Sequence, residues 1–86
     1  MALKFTAHAT RRISERNIPK EWIEATIAEP NRQAPDPNKP WLIRAYKRLP
    51  QAGGRVLRVV YSKKGNDDVL IITAFLDRDA DATLSD

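Results

Sequence analysis

Three β-prone runs crowded into the second half of the chain set what it can fold into. Residues 41–49, 55–62 and 69–76 are rich in β-branched and aromatic side chains, and only Pro50-Gln51-Ala52-Gly53-Gly54 and Lys63-Lys64-Gly65-Asn66-Asp67-Asp68 separate them. Linkers of that length and composition read as hairpin turns, so the three strands are expected to be neighbours and largely antiparallel. The last run, Val69-Leu70-Ile71-Ile72-Thr73-Ala74-Phe75-Leu76, is apolar on both faces with Thr73 as its only polar side chain, which gives it a central place in the sheet.

The first half reads as helix. Thr6 is suited to cap a helix running to about Arg16, and Asn17 to the left-handed position that ends it, because Asn tolerates positive φ. Pro19 suits the first turn of a second helix, over about 19–29, that carries Trp22, Ile23, Thr26 and Ile27 toward a core and is stopped by Pro30. Pro30, Pro35, Pro37 and Pro40 exclude a continued helix over 30–40 and predict an extended loop. With a short strand at 2–5 the order is β-α-α-β-β-β: an α+β fold with two N-terminal helices packed on a mainly antiparallel sheet of three to four strands.

At 86 residues and 42% hydrophobic content, one compact core is expected, in a single domain over 1–76. Residues 77–86 lack a periodic apolar face and read as an acidic tail, mobile or loosely docked. The absence of cysteine excludes disulfides and thiolate metal sites; one His without paired carboxylates in the body gives poor ligation, so neither a metal nor another cofactor is expected. No apolar run approaches the roughly 20 residues of a membrane span and the start lacks a signal-peptide core, so no membrane partner and a cytoplasmic location are expected.

The formal charge of +4 is unevenly placed. After Leu76 four aspartates against one arginine leave the tail at −3 and the body at +7. Between Asp36 and Asp67 there is no acidic side chain, while Lys39, Arg44, Lys47, Arg48, Arg55, Arg58, Lys63 and Lys64 supply eight cations. Such a field attracts polyanions, with nucleic acid foremost. Strand alternation sorts these cations: Trp41, Ile43 and Ala45 point one way, and Leu42, Arg44, Tyr46 and Arg48 the other. The Arg-x-Tyr-x-Arg row can grip phosphate bidentately and stack on a base, or it can be an ordinary solvated sheet face. Arg55 and Arg58 lie on opposite faces of their strand, so only one of them joins the row.

The only histidine, His8, stands four residues before Arg12 and eight before Arg16. On a helix the three share a side, next to the apolar direction set by Ala9 and Ile13. An imidazole titrating near neutrality beside two permanent cations supplies the proton carrier and anion clamp that phosphodiester cleavage without a metal would need; the competing role for His8 is packing or capping.

The pattern Phe5-Thr6-x-His8-Ala9-x-x-Arg12-Ile13-x-x-Arg16-Asn17-Ile18, with the Trp/Ile helix and the late Val-Leu-Ile-Ile-Thr-Ala strand, resembles the bacterial domain-of-unknown-function family 4258. That family's H-A-x-x-R-M-x-x-R-G-I motif corresponds to His8, Ala9, Arg12, Ile13, Arg16, Asn17 and Ile18, with Ile13 in the methionine place and Asn17 in the glycine place. The resemblance implies a fold akin to the barnase, colicin and RelE-like ribonuclease group, whose small toxins cleave RNA without metal. The expected activity is therefore a toxin-like, metal-independent RNA endonuclease. His8 would be acid or base, Arg12 and Arg16 phosphate ligands, and Arg44, Tyr46, Arg48 and Arg58 the RNA-positioning set. RNA is the expected partner, with an antitoxin or immunity protein as a second. The alternative is a non-catalytic RNA- or protein-binding module in which His8, Arg12 and Arg16 form a structural network.

Overall fold

The computed structural model describes residues 2–65 and 67–80. Its elements are β1 (Ala2–Phe5), α1 (Ala7–Glu15), α2 (Lys20–Ala28), β2 (Arg32–Pro35), β3 (Ile43–Leu49), a 3-10 turn at Pro50–Ala52, β4 (Arg55–Lys64) and β5 (Asp68–Leu76). The strands form one mixed sheet in the order β1-β5-β4-β3-β2, parallel between β1 and β5 and antiparallel elsewhere.

This α+β sheet has five strands where three to four were expected, and the extra one lies inside the proline-rich stretch read as a loop. Arg32–Pro35 pairs with Tyr46, Ala45, Arg44 and Ile43 of β3. Proline is tolerated there because β2 is the edge of the sheet and Pro35 its last residue, so the missing N–H leaves no interior ladder bond unmade.

α1 begins and ends as its sequence requires. Thr6 Oγ1 accepts from Ala9 N at 3.0 Å. At the other end Ile18 N donates to Ile13 O at 3.1 Å and Asn17 N to Ser14 O at 3.2 Å, the two bonds of a Schellman motif. Asn17 occupies the left-handed position between them, at φ 53°. α2 is entered through Pro19, which caps without a side-chain bond, and Lys47 Nζ on β3 donates to the Glu29 carbonyl at its far end at 2.8 Å.

Both helices pack on one face of the sheet, α1 against β5 and β1, α2 against β4 and β3. Ile23 and Ile27 of α2 and Ala9 of α1 meet Leu57, Val59 and Tyr61 of β4, Ala45 and Leu49 of β3, and Val69, Ile71 and Ala74 of β5. These strand residues alternate as a single buried face. An irregularity between Val60 and Tyr61 inserts Ile72 into the β5 side of the ladder and so keeps Ile71 and Ala74 on that same face. The opposite face carries neither α1 nor α2; a further helical turn begins at residues 78–80, directly after Asp77.

The stretch 77–86, read as an acidic tail, begins with a turn joined to the sheet. Asp77 N donates to Val56 O at 2.8 Å, and Asp77 Oδ1 accepts from Asp79 N at 3.0 Å and Ala80 N at 3.3 Å. Ala80 is buried. Residues 81–86 lie outside the described residues.

The left-handed cap yields a direct test. Asn17→Gly is expected to stabilise the protein slightly and Asn17→Ala to destabilise it by about 1 kcal/mol, since Ala meets a Cβ clash at positive φ that Gly lacks. Urea denaturation of the two variants measures the gap; coincident midpoints would remove the cap from the account of stability.

Candidate functional site

The sheet face turned away from α1 and α2 concentrates cationic and aromatic side chains. Register aligns four side chains across four strands: Arg32 of β2 opposite Tyr46 of β3, Tyr46 opposite Arg58 of β4, and Arg58 opposite Phe75 of β5. Arg44 and Arg48 flank Tyr46 on β3, opposite Val60 and Val56 of β4. The strand pairing also decides which β4 arginine joins this face: Arg58 does, whereas Arg55 folds back so that its Nε donates to the Ala52 carbonyl of the hairpin at 2.9 Å.

Three arginines of the face, Arg44, Arg48 and Arg58, have acceptors. Arg44 Nε meets Asp36 Oδ2 at 3.1 Å, with both side chains largely covered. Arg48 Nη1 donates to Gly54 O at 2.7 Å. Arg58 Nη1 lies 3.4 Å from Asp77 Oδ2, and its Cζ stands 4.4 Å from the centroid of the Phe75 ring. The buried Arg58 Nε has no hydrogen-bond partner.

α1 reaches this face around the side of β5. β1 pairs only with Asp68–Ile71, so the upper half of β5 has no strand on that side. Arg16 fills the gap: its Nη1 donates to Ala74 O at 3.0 Å and its Cζ lies 5.6 Å from the Phe75 centroid, over the same ring as Arg58. The 100° helical step puts Arg12 and then His8 on the same side of α1 as Arg16, one and two turns back. Arg12 is exposed and pairs with Glu15 at 3.2 Å. His8 is exposed and has no hydrogen bond or ion pair among the described residues. It is therefore neither a cap nor a core residue. The structure thus joins Arg16 to Arg58 through Phe75, and leaves His8 and Arg12 on the rim without direct contact with Tyr46, Arg44 or Arg48.

Three contributors are not marked by the sequence pattern: Arg32 lies in the proline-rich segment, Phe75 in a strand apolar on both faces, and Asp77 in the acidic stretch after Leu76. Asp36 was treated only as a boundary of the acid-free run, yet it organises the β2–β3 loop: Oδ1 accepts from Asn38 N at 2.9 Å and from Lys39 N at 3.0 Å while Oδ2 holds Arg44. Among the described residues no group of three or more His, Asp or Glu is placed to hold a metal ion. No helix of the described residues is long and apolar enough to cross a membrane.

An α+β domain with a five-stranded mixed sheet, bearing arginines and aromatics on the face turned away from α1 and α2, is the class that these features define. The model of the family described as Domain of unknown function (DUF4258) matches residues 5–76, and the chain belongs to that family. Comparison with curated proteins and with solved structures gives no match.

The Asp36 carboxyl is held below its ordinary value of 3.8, first by the Asn38 amide, against an opposing burial effect, and then by the Lys39 amide and the Arg44 guanidinium. A depressed folded-state pKa contributes stability that is present above the unfolded value and lost as pH falls through the folded one. The stability gap between wild type and Asp36→Asn should therefore be full at neutral pH and shrink below roughly pH 4, as thermal melts across pH 2–7 would register. A gap independent of pH would mean that the loop does not depend on the charge.

Proposed function

We propose that the protein is a metal-independent RNA endonuclease that holds single-stranded RNA on its open sheet face. The observation that carries this reading is the convergence of Arg16 and Arg58 on Phe75, in register with Tyr46 and Arg32, on the side of α1 that also bears His8. Guanidinium forks grip phosphates, and aromatic rings on a sheet accept stacked bases of a single strand. His8 is an exposed imidazole without internal partners, free to act on a bound strand. It would take the proton of a ribose 2′-OH as that oxygen attacks the adjacent phosphorus. The bond from phosphorus to the 5′-oxygen then breaks, the leaving oxygen takes a proton from water, and a 2′,3′-cyclic phosphate remains. Arg12 and Arg16 would neutralise charge developing on the phosphoryl oxygens. The motif from His8 to Ile18 is that of the family, and the fold akin to the barnase, colicin and RelE-like group that this resemblance implies is in keeping with the same chemistry.

A second reading, a non-catalytic RNA-binding module, draws on a specific observation: nothing among the described residues orients the His8 ring, whereas an efficient general base is normally held by a third group.

The two separate cleanly in one experiment. Purified protein with single-stranded RNA in excess chelator is expected to cleave and leave 2′,3′-cyclic ends. His8→Ala should lose about 100-fold or more in rate with affinity almost unchanged. Arg44→Ala with Arg48→Ala should weaken binding and flatten its salt dependence. Stoichiometric binding without cleavage would select the module, and undiminished cleavage by His8→Ala would remove His8 from the mechanism.

A further inference from the structure

Arg58 is the open-face arginine whose hydrogen-bonding capacity is left conspicuously unfilled. Asp77 meets it at a single point, Nη1 to Oδ2 at 3.4 Å, which is long for a charge-assisted hydrogen bond. Its Nε is sealed from solvent and makes no bond. A buried donor without an acceptor costs free energy that a better-fitting anion would recover. Asp77 itself is well supported from behind, because its Oδ1 caps the 78–80 turn and its N–H is tied to Val56. The carboxylate is held in place by its own turn more than by the arginine it neutralises.

We propose that Arg58 is a phosphate seat occupied in the free protein by the Asp77 carboxylate, and that RNA binds there by exchanging its phosphate for that carboxylate. This rests on the RNA-binding reading above and adds the regulation of that surface. A phosphodiester presents two anionic oxygens in a geometry that an arginine fork receives through two N–H groups, whereas Asp77 offers one oxygen to one. The Phe75 ring under the guanidinium fixes its plane whichever anion is bound. Displacing the 77–80 turn breaks the Asp77 N to Val56 O bond and exposes Ala80 but leaves the β5 ladder, whose last pair is Leu57 with Leu76, intact. The turn is therefore an internal competitor, and non-specific RNA contact is damped by a carboxylate tethered beside its target.

Asp77→Ser tests this, because serine can still cap the turn through its hydroxyl while the competing charge is gone. The probe is a fluorescently labelled single-stranded RNA, titrated by anisotropy from low to physiological salt, with circular dichroism melts to confirm folding. Asp77→Ser is expected to bind about five- to tenfold tighter at low salt, and the slope of log affinity against log salt should steepen by about 0.7, as one further phosphate contact requires. Arg58→Gln should abolish that gain in the double variant. Should wild type bind RNA and folded Asp77→Ser bind no tighter, the exchange is overturned while the RNA reading stands. If neither binds, the RNA reading falls and the phosphate seat with it; binding by Asp77→Ser alone supports both. A variant that melts early is replaced by Asp77→Asn, which keeps the cap and the side-chain volume, and the same gain or its absence decides.

Discussion

The parallel pairing of Ala2–Phe5 with Asp68–Ile71 is the constraint on which the rest of the structure depends. Parallel neighbours cannot be joined by a turn, so the intervening chain, with both helices and the β2-β3-β4 meander, has to serve as the connection between them. α1 and α2 close over one face of the sheet, and the other face is turned away from both. Because β1 is only four residues long against the nine of β5, the pairing also leaves half of one β5 side open. Arg16 reaches a backbone carbonyl of β5 there, and by doing so it reaches the open face as well.

The sheet face turned away from α1 and α2 also keeps apolar residues dry. Val56 and Val60 are 1% and 5% exposed although they point away from both helices. Their cross-strand neighbours are Arg48 and Arg44, whose aliphatic stems can lie over the valines while the heads reach acceptors at the margins. Asp36 anchors one head, the Gly54 carbonyl another and Asp77 a third. The arginines thus act as a thin polar roof for the sheet and at the same time constitute its cationic surface. A substitution that shortens them, such as Arg44→Ala, removes cover as well as charge. Loss of binding in such variants therefore has to be read together with their stability.

Local rules were legible where one residue type decides a backbone state. Asn17 lies in the left-handed region, the two short linkers close hairpins, and the alternation of Arg44, Tyr46 and Arg48 onto one face holds. What the sequence could not disclose was pairing. Alternation left Arg55 and Arg58 as equal candidates for the row, and only the register of β4 against β3 sets Arg58 opposite Tyr46. The same is true of β2: four prolines between 30 and 40 spoke against a strand, yet an edge position admits Pro35 and brings Arg32 beside Tyr46. Phe75 stands in a strand apolar on both faces, and only the register of β5 against β4 sets it opposite Arg58. Asp77 followed composition into the tail, although one backbone bond to Val56 and one ion pair fix it to the sheet.

The charge pattern gains its meaning from this geometry. Five of the acid-free run's cations are taken up locally, Lys47 by the end of α2, Arg55 by its own hairpin, Arg44 by Asp36, Arg48 by the Gly54 carbonyl and Arg58 by Asp77, so the run does not form one uniform patch. α2 exposes Glu21, Glu24 and Glu29 on the helical side, whereas α1 exposes Arg11, Arg12 and His8 toward the other end of the layer. The molecule is therefore polarised, with an acidic pole at α2 and a basic band that starts on α1, passes through Arg16 at the β5 side and continues onto the sheet through Arg58. A polyanion approaching such a field is turned toward the band before any contact forms. The band's path around β5 passes His8 and Arg12 before it reaches Tyr46. His8, exposed on the side of α1 that carries Arg12 and Arg16, therefore stands at the margin of this band and not at its centre.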